Sequence, residues 1–311
     1  MAEPVALPAL VLDAAFGWPR ALYARIGHPV GMFARIIAIC DARWNQRTSP
    51  DAARRAGGVA TVVVLVGTAV GASLGLAQLA GTVAGSRSWI VLSLLAWPAL
   101  AQRSLDQHVA PVIDHLREGR LDEARQAVGL IVGRDTLSLD EAGVARAGIE
   151  SLAESFCDGV VAPLFWLMVA GLPGIWTLKA VNTADSLIGH KDAPYRDFGW
   201  AAARLDDAMN FVPARLSALL ICLAGLGGWR ICLAHAHRHA SPNAGWPEAA
   251  MAGVLGVRLA GPASYDGVVA DKPWIGQGGE ADGRAMTRAR RVYHRACLLG
   301  WLIAGGVAWQ G

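Results

Sequence analysis

Charge is scarce in this chain: Asp, Glu, Lys and Arg make up 17% of its 311 residues, where a soluble domain carries about a quarter. So little charge does not cover a water-exposed surface of this size, and the 54% hydrophobic share argues the same way. The net charge is only +3, with basic residues interleaved among acids, so no nucleic-acid-binding face is expected. Cys40, Cys157, Cys222, Cys232 and Cys297 form no CxxC pair and mostly sit in or beside apolar runs. They read as buried free thiols, not as a disulfide framework. Neither a Gly-x4-Gly-Lys-Ser/Thr phosphate loop nor a His-Glu-x-x-His zinc helix occurs, and the Gly-rich run at 276–279 lacks a preceding strand and a following helix. Met1–Leu12 has no basic opening, and Asp13 cuts its apolar stretch short, so no cleaved signal peptide is expected.

What remains is an all-α polytopic membrane protein, read as one integral-membrane domain over 1–311. Apolar segments at 57–83, 89–105, 159–178, 211–234 and 296–309 supply four to five membrane helices or re-entrant segments. Arg43, Arg47, Arg54 and Arg55 precede the first, which places that end in the cytoplasm by the positive-inside tendency. Segment 159–178 carries Pro163 and Leu172-Pro173-Gly174, so it is expected as two short helices that dip in and return, in preference to a single crossing. Polar loops fill 106–158, 179–210 and 235–295. Val109, Val112, Ile113 and Leu116 are spaced for one helix face, and a second helix is expected over Leu121–Val132.

The densest charge lies at 133–158. Arg146, Glu150, Glu154 and Asp158 follow one another at four-residue intervals, so they project from one helix face. A solvated face is the ordinary explanation of such a run. Here it leads straight into an apolar segment, where ionisable groups are costly and usually functional. In the loop and helix that follow, Asn182 with Asp185, and Asp206 and Asp207 with Asn210, have the spacing to converge. Oxygen ligands of this kind suit magnesium, which takes one or two carboxylates and completes its shell with phosphate oxygens and water. Capping or a buried polar network explains any one pair equally well. Lys191, Arg196 and Arg204 have the chemistry to clamp phosphate or carboxylate oxygens, or to pair with Asp192, Asp197 and Asp206. Trp246, between Gly245 and Pro247, is suited either to stacking on a planar ring or to anchoring its loop.

Four motifs in order resemble the CobD/CbiB family of cobalamin-biosynthesis proteins, the adenosylcobinamide-phosphate synthases: Val-Gly-Arg-Asp-Thr at 132–136, Ile-Glu-Ser-Leu-Ala-Glu with Asp-Gly-Val-Val-Ala-Pro-Leu-Phe within 149–165, Phe-Gly-Trp-Ala-Ala-Ala-Arg-Leu-Asp-Asp at 198–207, and Ser-Pro-Asn-Ala-Gly-Trp-Pro-Glu-Ala at 241–249. The likeness runs from about Leu12 to Gly278, with departures at Trp18, Ser155, His190 and Asp192. It implies a multi-pass inner-membrane enzyme, its active loops cytoplasmic, that joins the propionate carboxyl of adenosylcobyric acid to aminopropanol or aminopropanol phosphate with ATP and magnesium. Corrinoid, the amine, membrane lipid and other cobalamin-assembly enzymes are the partners so implied. On this resemblance Glu150, Glu154, Asp158 and Asp185 are expected to hold magnesium, and Asp206, Asp207 and Glu154 to act in catalysis. Arg134, Asp135, Lys191, Arg196, Arg204, Asn210, Asn243 and Trp246 are expected to bind substrate or phosphate. A magnesium-dependent intramembrane prenyl- or phosphotransferase and a non-catalytic corrinoid-binding protein are the competing readings.

Overall fold

The computed structural model describes residues 4–190, 192–265 and 267–310, apart from the side chains at 308 and 310. In chain order the helices are α1 (Ala6–Phe16), α2 (Arg20–Ile26), α3 (Val30–Trp44), α4 (Asp51–Ala84), α5 (Ser88–Ala96), α6 (Gln102–Arg117) and α7 (Leu121–Gly129). There follow α8 (Glu141–Phe156), α9 (Ala162–Ile188), α10 (Tyr195–Phe198), α11 (Trp200–Gly225), α12 (Trp229–His235), α13 (Gly245–Leu255) and α14 (Gly283–Gln310). Strands β1 (Leu259–Ala260) and β4 (Trp274–Ile275) pair antiparallel, as do β2 (Ala263–Tyr265) and β3 (Val268–Ala270). The all-α polytopic expectation holds: three helical stretches, Asp51–Arg117, Glu141–Ile188 and Trp200–Gly225, are long and apolar enough to cross a membrane. Two compact units divide the chain. The first comprises 1–101, 162–210 and 304–311, and the second 102–161 and 211–303.

In the first unit, α4 packs along α9, with α3 and α5 against both. Gly58 makes one of these contacts possible, because a Cβ there would lie 1.7 Å from the carbonyl oxygen of Phe198. Phe33, Ile37, Leu65, Ala180, Ile188 and Phe198 form the adjoining buried cluster. Within α9, Gly171 adopts φ 61° and ψ −150°, outside the helical region and hard for any side-chain-bearing residue to reach. The chain doubles back there, since a Cβ on Gly174 would meet the carbonyl oxygen of Trp166 at 2.4 Å. The segment is thus two helical arms meeting at Gly171, the second running on to Ile188 and past the expected boundary at 178. Trp18, one of the family departures, packs edge-on to His28 at 5.1 Å and against Trp97 at 5.8 Å. Burial, helped by Lys179, holds the His28 imidazole below its ordinary range.

The second unit is built on α6, α7, α8, α13 and the part of α14 up to Ile303. Val109, Val112, Ile113 and Leu116 are buried together, the face expected from their spacing. Asp140 caps α8 by accepting from the Gly143 amide at 2.7 Å. Arg290 clamps α14 to α6 through two bonds to Asp106 at 2.7 and 2.8 Å, and Tyr293 donates to the Gln102 carbonyl at 2.6 Å.

Two segment boundaries differ from expectation, while the interruption that Pro98 marks in 89–105 is present: α5 passes into a 3-10 turn at Trp97–Ala99, Leu100 is extended, and α6 begins at Gln102. Pro98, which lacks an amide proton, sits in that break. The 211–234 segment is interrupted by Leu226 at φ 53° and Gly228 at φ 84°, which separate α11 from α12. At the C-terminal side, 296–309 continues a helix that starts at Gly283 and does not stand alone.

Candidate active site

The expected site residues fall into two groups, one in each unit. In the first unit Asp206 is the centre. Asn182 donates its amide to Asp206 Oδ1 at 2.6 Å and Asn210 donates to Oδ2 at 3.1 Å, so both carboxylate oxygens are held. The amide oxygens of Asn182 and Asn210 are themselves buried and have no hydrogen-bond partner. Arg204 pairs with Asp207 at 3.4 Å, not with Asp206. Asp185 stands one turn before the end of α9, and only glycine fits at 189, where a Cβ would lie 2.1 Å from its carboxylate. Arg196 is exposed and pairs with Asp197 at 3.5 Å and Asp51 at 3.8 Å. Lys191 lies outside the described residues, and His190 and Asp192 are exposed.

In the second unit a cavity of about 290 Å³ opens among Arg134, Glu150, Glu154, His239, Glu248 and Lys272, with Ser151, Ser155 and Tyr265 also on its wall. Arg134 and Glu150, 11% and 8% exposed, form a direct ion pair. The second oxygen of Glu150 accepts from the buried Ala260 amide at 2.7 Å, and Arg146 stands 3.9 Å from it. Helix α8 thereby fastens β1. Burial works against the Arg134 charge, but Glu150 more than offsets it and holds the guanidinium above its usual range. Glu248, in the first turn of α13, is 5% exposed. Burial, reinforced by Glu150 and Glu154, pushes its carboxyl well above the ordinary glutamate range, while Arg134 and Lys272 pull the other way. Its partner within 4 Å among the described residues is the His239 imidazole, at 3.8 Å. The Lys272 ammonium donates to the Tyr265 hydroxyl and lies 4.6 Å from its ring centroid.

Several expected residues have other work. Glu150 does not offer the free carboxylate that the expected magnesium set needs, because Arg134 and the Ala260 amide take up its oxygens. No group of three or more His, Cys, Asp or Glu among the described residues is arranged to hold a metal ion. Asp135 accepts from Ser264 Oγ at 2.5 Å and the Gly267 amide at 2.9 Å, fixing the β2–β3 hairpin. Asn243 accepts from Arg215 at 3.2 Å, and the same guanidinium lies 4.8 Å from the Trp246 ring, so Trp246 is engaged on that face. Asp158 is half-buried in a π-turn over Cys157–Val161. Glu248, Lys272, Tyr265 and His239 were not anticipated. Glu248 does lie within the Gly-Trp-Pro-Glu run, where a lone acid ahead of an alanine-rich helix reads as an ordinary first-turn residue.

Fold and site define a polytopic helical membrane protein with a mostly buried ionic pocket in its second unit. A family model described as CobD/Cbib protein matches residues 6–293, and the chain belongs to that family. It is 48% identical over 305 residues to "Cobalamin biosynthesis protein CobD" of Rhodobacter capsulatus, covering 96% of this chain and 95% of the relative. Proteins of the same name from a Sinorhizobium species and from Rhizobium meliloti (strain 1021) are each 44% identical, over 314 and 300 residues, covering 95% and 93% of this chain and 95% and 91% of the relatives. No solved structure matches.

Proposed function

We propose that this protein works in cobalamin biosynthesis, in the inner membrane with its polar loops cytoplasmic. In this reading it joins aminopropanol or its phosphate to the propionate carboxyl of adenosylcobyric acid. Family membership over residues 6–293 supports the pathway. The observation that carries the chemistry is the pocket, where three glutamates and two cations meet in a mostly buried space. Forming an amide from an ammonium and a carboxyl requires groups that bind both charge signs and move protons away from nitrogen. ATP and magnesium, when bound, supply activation of the carboxyl.

The unpartnered amide oxygens of Asn182 and Asn210 fit a hard divalent cation, with Asp185 beside them as the carboxylate ligand. Asp206, held in place by those two amides, and Asp207 are assigned to accepting protons in the first unit. Glu154 is assigned the same task in the second. Arg204, Arg196 and Lys191 are assigned to phosphate oxygens. Arg134 acts through Glu150, fixing the carboxylate wall of the pocket.

Purified protein given adenosylcobyric acid, aminopropanol phosphate, ATP and magnesium should yield the amide. Glu154→Gln, Asp185→Asn and Arg204→Ala should each slow it. Near-normal turnover in all three variants removes these assignments. ATP-independent transfer of a lipid diphosphate would favour the transferase class, and tight corrinoid binding with no product the non-catalytic class.

A further inference from the structure

The cavity of the second unit is small. At about 290 Å³ it sits at the bottom of the usual range for ligand pockets, about 300–1,000 Å³. A corrin macrocycle with its peripheral amides is far too broad to enter, whereas a short amino alcohol fits. Size alone does not select an amine, but the charges on the wall do. Glu150 is already neutralised by Arg134. Glu248 is not: its carboxyl accepts no hydrogen bond among the described residues, and the His239 imidazole at 3.8 Å is beyond hydrogen-bond reach. The Glu248 carboxyl opens onto the cavity, and a primary ammonium there supplies both a donor and a countercharge. Position in the first turn of α13 favours the ionised carboxylate once that ammonium arrives. Across the cavity the Lys272 ammonium, steadied by the Tyr265 hydroxyl, offers donors to an oxygen at the ligand's other end.

We infer that this cavity is the seat of the amine acceptor, and that Glu248 binds its ammonium group and takes its proton. The inference rests on the amide-forming reading above. The corrinoid presents its propionate from outside. On entry, the ammonium displaces the proton that Glu248 carries in the empty pocket, and that proton goes to solvent. In the reaction, the Glu248 carboxylate takes one proton from the ammonium. The freed nitrogen lone pair then forms the C–N bond as the bond between the acyl carbon and its activated oxygen breaks. A second N–H proton leaves with the departing oxyanion.

Calorimetry of the full chain in detergent tests this, with 1-aminopropan-2-ol as the sole added ligand, at pH 7 in two sulfonate buffers of unlike ionisation enthalpy. Saturable binding with release of protons, read as a heat that differs between the two buffers, is expected. Glu248→Gln should bind at least about tenfold more weakly and release no proton. Lys272→Met should also bind more weakly yet still release the proton. Absence of saturable binding, binding whose heat is the same in both buffers, or unchanged affinity in Glu248→Gln overturns the inference. The wild-type buffer dependence decides the matter even if a variant does not fold. An amide assay run in parallel separates the two levels. Amine binding with proton release but no amide sustains the pocket and defeats the synthase reading. Amide formation without it does the reverse.

Discussion

Replacing Arg134 by methionine removes the cation from a pair whose members are only 11% and 8% exposed. Glu150 would then face Glu154 and Glu248 across the pocket, with the Arg146 guanidinium at 3.9 Å as its nearest remaining countercharge. Breaking a buried pair by deleting one partner costs about 3–5 kcal/mol, because the remaining charge stays desolvated. At roughly 2–4 °C per kcal/mol for domains of about 150–250 residues, the midpoint of thermal unfolding should fall by about 6–20 °C. Replacing both partners, Arg134→Met with Glu150→Leu, removes the stranded charge and should recover most of that loss. A residue of about 1–3 kcal/mol should persist, because the Ala260 amide at 2.7 Å loses its acceptor. Thermal unfolding in mild detergent, followed by circular dichroism, measures all three proteins. A single variant within about 1 kcal/mol of wild type, or a double variant no better than the single, would refute the idea that this pair is desolvated and structural.

Glu248 has a folded-state carboxyl raised above its unfolded value of 4.5, so the folded state binds the extra proton. Its contribution to stability is complete below pH 4.5 and is lost as pH climbs toward the folded value, by up to about 1.4 kcal/mol per pH unit. Glu248→Gln should flatten that decline in urea unfolding series at several pH values, and an unchanged slope would count against a neutral buried carboxyl. Gly58→Ala puts a methyl 1.7 Å from the Phe198 carbonyl and should destabilise by about 1–3 kcal/mol. Gly67→Ala, with nothing within 4 Å, should stabilise the same helix by about 0.5–1 kcal/mol. Equal shifts in the two thermal melts would contradict the close α4–α10 contact. Gly171→Ala, forced to φ 61° and ψ −150°, should cost about 1–3 kcal/mol in the same assay.

Periodicity made the helices legible where one face is buried: α6 lies where the spacing of Val109–Leu116 puts it, and α8 carries the Arg146, Glu150 and Glu154 run spaced for one helix face. Short-range breakers were harder to weigh. Pro98 ends α5 outright, whereas Pro111 and Pro213 lie inside α6 and α11 without ending them, and sequence spacing alone does not separate these cases. The two strand pairs escaped notice because strands of two or three residues are too short for a period-two pattern. Within the site, Arg134 and Glu150 were both picked out, but as a phosphate binder and a metal ligand. Their pairing bridges 16 positions and is fixed by tertiary packing, which no local pattern encodes. Glu248 was missed for the same reason, since the acids that perturb it come from α8, about a hundred positions earlier in the chain.

None of the five cysteines is in a disulfide and all are buried, the least covered being Cys297 at 9% exposure. Water-soluble maleimides should therefore leave the native chain almost unlabelled, which turns it into a blank background for sidedness mapping. A thiol introduced at exposed Asp192 would then report, by which face of an oriented vesicle reacts, where the loop after the folded-back arms emerges. No prior stripping of native thiols, with its toll on packing around Phe156 and Ile221, is required.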